Sequence, residues 1–194
     1  MNISVMVCCS DTKRRNKITS LLQQMGSTVV AEASDAPQAL RQVHTLHPQL
    51  VIIDIEFYDP SSLEIASLIS REKLAPVILL TTPHHQEVIR ALNENYIMSY
   101  VVKPINKWAL ESTVYTVLAN FRKMEQMESE INKLKDTLET RKVVEKAKHI
   151  LMRDQKLTEP EAFRRMQKQS MDKGIAMKSL AEAIILNEEL KNPS

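Results

Sequence analysis

The first 105 residues alternate short apolar runs with stretches in which apolar residues recur every three or four positions. The apolar runs predict five strands: "ISVMVC", "STVVAE", "QLVIID", "APVILLT" and "SYVV". The three- and four-residue spacing predicts helices between them, over residues 13–25, 37–46, 63–71 and 86–93. Strands that alternate with helices form a parallel sheet with helices on both faces, and near-continuous apolar runs are typical of strands buried on both sides. We therefore predict a doubly wound α/β domain with a five-stranded parallel sheet over residues 1–118.

From Asn106 onward the apolar spacing is helical for about fifty residues. Apolar residues follow steps of 4, 3, 4, 3 and, after one extra step of three, 4, 3, 4: Leu110, Val114, Val117, Phe121, Met124, Met127, Ile131, Leu134 and Leu138. A seam with one such discontinuity, flanked by charged residues, predicts a coiled coil with a stammer. The alternative is a helix packed on its own sheet, which accounts for residues 110–117 but leaves 124–138 uncovered. We predict a coiled-coil helix over residues 119–140 and a homodimer formed through it.

The pattern at the C-terminal end predicts three helices between residues 141 and 190. One break falls at "KLTEPEAF", where Thr158 can cap a helix that has Pro160 in its first turn. The other falls at "DKGIAMK", where Gly174 can adopt a left-handed turn. We predict an all-α three-helix domain over residues 141–194.

Charge is distributed unevenly along the 194 residues. Residues 1–120 carry 10 Lys and Arg against 11 Asp and Glu, whereas residues 141–181 carry 11 against 5. A basic surplus in about forty residues indicates a polyanionic partner. No run of 18 apolar residues and no signal-peptide pattern is present, so we expect a cytoplasmic protein without a membrane span.

Nine basic side chains of this region lie mostly off the apolar positions and are candidates for nucleic-acid contacts. They are Lys142, Lys146, Lys148, Arg153, Arg164, Arg165, Lys168, Lys173 and Lys178. Any one of them alone is typical of a solvated surface charge. Together they form the kind of cluster that neutralises phosphates, and we expect them on surfaces that converge.

Polar residues stand at the ends of the predicted strands, where chemistry collects in an open parallel sheet. Asp11 follows the first strand, Asp54 ends the third, Thr81 ends the fourth, and Lys103 follows the fifth. A carboxylate in this position can accept a phosphoryl group, a lysine can pair with the added charge, and a hydroxyl can hydrogen-bond it. The pattern indicates a phosphoacceptor site at this edge of the sheet.

These motifs resemble the receiver domain of bacterial response regulators, which has a flavodoxin-like fold. "LVIID" with Asp54, "PVILLT" with Thr81, and "YVVKP" with Tyr100 and Lys103 match that family's phosphoacceptor, switch hydroxyl, switch aromatic and lysine positions. The resemblance covers residues 3–118. It implies the same parallel sheet that the strand pattern predicts.

One part of the receiver pattern is missing, the acidic pair that holds Mg²⁺. Cys9 and Ser10 stand in its place, and only Asp11 remains, one position further on. Mg²⁺ prefers carboxylate oxygens, and Asp54 needs the ion to neutralise an incoming phosphoryl group. We therefore expect no bound cofactor or metal, no enzymatic activity, and an Asp54 that is a relic or is paired with Lys103. A regulator that is activated by phosphorylation of Asp54 is the alternative hypothesis.

The C-terminal region resembles the ANTAR domain, an RNA-binding transcription antitermination module. The matching segments are "R--VEKAKHILM" from residue 141, "LTEPEAFRRM" from 157, "QSM" from 169 and "LAEAII" from 180. His149 stands where glycine is usual, and Ser170 where alanine is usual.

The ANTAR resemblance implies binding to paired hairpins in a leader transcript, which prevents terminator formation. Because the acceptor site is degenerate, it further implies control by a small-molecule-sensing partner protein, as in amidase and nitrate-assimilation regulators. A DNA-binding regulator and a dimeric scaffold without nucleic acid are the remaining alternatives.

Overall fold

The computed structural model describes residues 2–56, 62–83 and 99–191, and the predicted helix over 86–93 lies outside these ranges. The described chain contains a five-stranded sheet in the order β2-β1-β3-β4-β5, in which every neighbouring pair is parallel. The strands are β1 Ser4–Cys8, β2 Thr28–Ala33, β3 Leu50–Asp54, β4 Val77–Thr81 and β5 Ser99–Val102. This strand order is that of flavodoxin-like folds, so the predicted fold class is confirmed.

Three helices connect the first four strands: α1 Thr12–Gln24, α2 Ala36–Leu46 and α3 Ser62–Arg71. Their bounds differ by only one residue from those that the apolar spacing predicts. The first two begin at aspartates whose carboxylates accept hydrogen bonds from the backbone: Asp11 from the N–H of Arg14, and Asp35 from that of Gln38. Such N-caps fix where each helix starts after its strand.

The sheet is covered on both faces. Successive side chains of a strand point to opposite sides, so alternate residues enter two different core clusters. Met6 and Cys8 of β1 belong to a core cluster shared with α2 and α3. Val5, Val7 and Cys9 belong to a second cluster on the other face, shared with α1. Cys8 and Cys9 are therefore buried in different cores, and both are free thiols.

A single helix, α4 Lys107–Gln155, accounts for 49 residues. Its first turns bury Leu110, Val114 and Val117 in the second core cluster. The continuation of the seam is half exposed, at 55% for Met127, 50% for Ile131, 58% for Leu134 and 57% for Leu138. In the described part of the chain these four side chains remain half exposed, as the sequence pattern predicts for residues that their own sheet does not cover.

The C-terminal helices are α5 Glu159–Lys173 and α6 Met177–Lys191, and they pack against the end of α4. Both predicted breaks are confirmed. Thr158 and Glu161 form a reciprocal capping box at the start of α5, and Gly174 ends it in the left-handed conformation, with φ 62°. The core of this bundle consists of Ala147, Leu151, Ala162, Met166, Leu180 and Ala181.

The chain forms two compact units, Met1–Met124 and Glu125–Ser194. Across the described ranges, none of the helices combines the length and the apolar character that a bilayer span requires.

Candidate functional site

Asp54 is the central residue of a charged cluster at the carboxyl edge of the sheet. Its side chain is only 1% exposed, and Lys103 Nζ lies 2.6 Å from its Oδ1 atom. The same oxygen accepts a hydrogen bond of 3.0 Å from the backbone N–H of Glu56. Because a buried carboxylate is costly unless it is paired, the lysine after β5 stabilises the charge at the end of β3.

A second cation, Arg14 in the first turn of α1, reaches the same carboxylate. Its Nη1 atom lies 3.5 Å from Asp54 Oδ2 and also forms an ion pair with Glu56. This hydrogen bond lowers the pKa of the Glu56 carboxyl and raises the pKa of Arg14. The predicted residue Asp11 acts on the same arginine, since it caps α1 and lies 3.6 Å from Arg14 Nε.

Cys9 and Ser10 supply no charge to this cluster. Cys9 Sγ lies 3.7 Å from Asp54 Oδ2, and burial, together with the Asp54 charge, raises the pKa of the thiol. The thiol is therefore protonated at neutral pH. Ser10 Oγ donates a hydrogen bond of 3.3 Å to the carbonyl of Glu56. On the opposite face, burial raises the pKa of Cys8 to about 12.

The residues present do not fit the Mg²⁺ ion that a receiver domain implies. The carboxylates of Asp54 and Glu56 are already paired with Arg14 and Lys103. A protonated thiol is a poor ligand for a hard cation. Over the described ranges, no group of three or more His, Cys, Asp or Glu side chains is arranged to hold a metal.

Thr81 lies at the end of β4, buried next to the cluster. Its Oγ1 atom donates to the carbonyl oxygen of Thr82 at 3.2 Å, and its own carbonyl accepts a hydrogen bond of 2.8 Å from the N–H of Lys103. Thr81 thus positions the backbone that carries Lys103, while its hydroxyl bonds to the chain beyond the strand.

The predicted surface position of Lys148 is wrong. Its side chain is 6% exposed, and Nζ lies 2.7 Å from both Glu145 Oε1 and Glu159 Oε1. These hydrogen bonds raise the pKa of Lys148, and that from Lys148 lowers the pKa of Glu159. Lys148 follows the core residue Ala147, and α5 begins beside it, so the lysine joins two helices instead of facing solvent.

Three other basic candidates form ion pairs inside the C-terminal unit. The pairs are Lys146 with Glu189 at 3.2 Å, Arg153 with Asp154 at 2.9 Å and with Glu188, and Lys178 with Asp136 at 2.8 Å. Binding of an anion by these side chains would compete with carboxylates of the same chain.

The remaining five candidates are exposed and have no ion-pair partner among the described residues: Lys142, Arg164, Arg165, Lys168 and Lys173. Three of them, Arg164, Arg165 and Lys168, lie in one five-residue stretch of α5. Phe163 precedes them and is 44% exposed. Arg164 and Lys168 are four residues apart, and Arg165 and Lys168 are three apart, so the structure places a compact group of available cations on one face of α5.

Two established domain families match this sequence. "Response regulator receiver domain" matches residues 5–115, and "ANTAR domain" matches residues 132–185. The chain belongs to the response regulators that combine a receiver domain with an ANTAR domain. This family is regulatory.

Relatives of known sequence agree with this assignment. The chain is 30% identical over 181 residues to the transcriptional regulatory protein PdtaR of Mycobacterium tuberculosis, across 93% of this chain and 88% of that protein. It is 31% identical over 114 residues to the transcriptional regulatory protein BtsR of Salmonella typhi, which covers 58% of this chain and 47% of BtsR.

Solved structures with low identity show the fold of the N-terminal unit alone. A signal receiver domain of a modulated diguanylate cyclase from Desulfovibrio desulfuricans G20 has a TM-score of 0.58 at 16% identity. The match covers 63% of this chain and 98% of that domain. A response regulator from Chloroflexus aurantiacus gives a TM-score of 0.56 at 20% identity, over 61% of this chain and 99% of that one.

Proposed function

We propose that the protein is an RNA-binding transcription antiterminator, whose C-terminal unit binds hairpins in a leader transcript and prevents terminator formation. The exposed cations Arg164, Arg165 and Lys168 on one face of α5 carry this proposal, and the partly exposed ring of Phe163 lies on the same helix. Basic side chains neutralise RNA phosphates, and aromatic rings stack on unpaired loop bases. The ANTAR match over this region supports the same ligand class.

The internal ion pairs divide the nine basic candidates into two groups. Lys148, Lys146, Arg153 and Lys178 bond to carboxylates of the chain, so an RNA phosphate would have to displace these pairs. The five cations without a partner in the described chain form the RNA-contacting group. Lys142 lies on α4 and Lys173 is the last residue of α5, so both lie outside the group at residues 164–168 and are left available for further phosphates.

The exposed seam of α4 supports a homodimer as the active form. Met127, Ile131, Leu134 and Leu138 present a heptad-like face that a second copy of the same helix can cover. Full burial of a Leu or Ile side chain contributes about 1.5–3 kcal/mol. Two C-terminal units on one dimer can hold two hairpins of the same transcript, and the second contact gains from the high effective concentration.

Control by a sensor partner protein fits the receiver unit better than control by phosphorylation. Both oxygens of Asp54 are engaged, Oδ1 by Lys103 and Oδ2 by Arg14. One observation favours the phosphorylation alternative, since Asp54 and Lys103 do meet at the carboxyl edge, where a receiver carries out its chemistry. Incubation with acetyl phosphate and Mg²⁺, followed by intact-mass spectrometry, distinguishes the two: a gain of one phosphoryl group at Asp54 would favour the alternative.

The RNA proposal is tested by charge removal on α5. We expect R164Q/R165Q/K168Q to weaken binding to hairpins recovered by crosslinking in cells, and to lower the magnitude of the slope of log K against log salt by about 2, since each lost contact removes about 0.7–0.9. The matched control, K13Q/K17Q/R41Q, removes three exposed cations from the N-terminal unit and should bind as the wild type does. Equal affinity of both triple variants would refute the proposal. Competition with duplex DNA tests the DNA-binding alternative in the same assay.

A further inference from the structure

Arg14 lies among three carboxylates. Its guanidinium contacts Glu56, lies 3.5 Å from Asp54 Oδ2, and lies 3.6 Å from Asp11 Oδ2. The three acidic residues come from two places in the fold, the end of β3 and the turn after β1. One cation thus joins the two segments at which a receiver would hold Mg²⁺.

We propose that Arg14 is the resident cation of the strand-end site and takes the place of the metal ion, so that this receiver unit is complete without Mg²⁺. The guanidinium has five donors in a planar fork and keeps its charge at every physiological pH, which suits it to bridge several carboxylates. In this role Arg14 holds together two acidic segments of the N-terminal unit. The role does not depend on RNA binding by the C-terminal unit.

The local charges explain why a divalent ion is not recruited. Arg14 and Lys103 already neutralise the buried Asp54 and the neighbouring Glu56. Mg²⁺ requires oxygen ligands at about 2.0–2.1 Å, so it would have to displace the guanidinium and remain close to two fixed positive charges. The thiol of Cys9 and the hydroxyl of Ser10 offer no negative charge in return.

The neighbouring arginine shows that the arrangement is specific to Arg14. Arg15 points to a different partner, with Nε 3.0 Å from Glu32 and Nη1 2.8 Å from the carbonyl oxygen of Cys9. It is a matched control, because it is also a partly buried, ion-paired arginine of the same helix turn but makes no contact with Asp54.

The experiment compares thermal unfolding of the full chain with Mg²⁺ and with NaCl of equal ionic strength. R14Q leaves Lys103 as the only cation that pairs with Asp54 and Glu56 in the described chain, and the three carboxylates are no longer spaced around a guanidinium. We therefore expect a lower Tm that Mg²⁺ raises by several degrees in a saturable manner, because the freed carboxylates can close on a smaller ion. Wild type and R15Q should show no response to Mg²⁺ beyond that to NaCl. In R14Q/E56Q one negative charge is removed together with the positive one, so the response to Mg²⁺ should disappear.

Two results would overturn the proposal: a saturable Mg²⁺ response of the wild type as large as that of R14Q, or a folded R14Q that does not respond. If R14Q fails to fold, a measurement on the wild-type chain still tests the proposal. Backbone amide NMR shifts of Asp54 and Glu56 in the wild-type chain should stay constant as Mg²⁺ is added. Saturable shifts of these two amides would show that the ion enters the site, against the proposal.

Discussion

Lys148 Nζ lies 2.7 Å from the Glu159 carboxylate and joins the last part of α4 to the first turn of α5. The same ammonium group contacts Glu145, one turn earlier on α4. This lysine of the basic ANTAR domain thus pairs with carboxylates of two helices instead of facing solvent. The two carboxylates remain largely exposed at 55% and 66%, so the pairs are partly screened by solvent.

The first prediction concerns the stability that this lysine provides. We expect K148Q to lower the Tm of the protein by about 2–4 °C, because two carboxylates lose their cation and a buried side chain loses its partners. The measurement is thermal unfolding followed by circular dichroism. K168Q, which removes an exposed cation of α5, is the control and should leave Tm unchanged. An unchanged Tm for K148Q would show that the pair contributes nothing.

The second prediction concerns acid stability of the receiver unit. The hydrogen bond from Arg14 holds the pKa of Glu56 below its ordinary value of 4.5, so the folded state binds this proton less readily than the unfolded state does. The stabilisation is therefore complete above pH 4.5 and is lost as the pH falls through the lower, folded-state pKa. Unfolding free energies measured from about pH 6 to 3 should decrease more steeply for the wild type than for E56Q. If the unfolding free energies of the wild type and E56Q decreased equally with falling pH, the pair of Arg14 and Glu56 would not contribute to stability.

The third prediction concerns the role of Asp54 in regulation. We expect D54N to leave antitermination of a leader–reporter fusion in cells nearly unchanged, because Arg14 and Lys103 already pair with the carboxylate and Cys9 and Ser10 supply no charge for the Mg²⁺ that phosphorylation needs. Immunoblotting of the variant controls for its abundance. A large loss of reporter signal at normal abundance would restore phosphorylation as the controlling event.

The fourth prediction concerns the half-exposed seam of α4. L134K/L138K should convert the dimer to a monomer, because two charged side chains cannot be buried in a helix–helix interface without a partner. Light scattering after size-exclusion chromatography measures the mass. L186K/L190K replaces two exposed leucines of α6 and serves as the control, with a dimer expected. A dimeric L134K/L138K would place the interface elsewhere.

The strands and the long helix follow from the sequence because burial imposes a pattern on them. Strands covered on both faces, such as β3 and β4, are apolar at almost every position, and the seam of α4 repeats with a helical period. The two C-terminal breaks are equally local, since the Thr158 cap and the left-handed Gly174 are encoded by single residues and their neighbours.

The charged contacts do not follow from the sequence in the same way. The sequence does not predict the pair of Arg14 and Glu56, because the two residues are 42 positions apart and meet only where α1 and β3 reach the same edge of the sheet. The sole local sign is that Arg14 lies one turn after Asp11, at the edge where Asp54 ends its strand. Helical spacing alone puts Lys148 on the surface, because it gives the angle of a side chain on its own helix but not the presence of α5 beside it.

Pairing through the four half-exposed seam residues would also make the amount of dimer depend on the expression level of the protein. In the proposed dimer, pairing follows mass action, so when single chains predominate the amount of paired regulator scales with the square of total synthesis. Halving expression then reduces the assembled species about fourfold. A modest change in the translation of this gene would therefore be amplified in the amount of paired regulator.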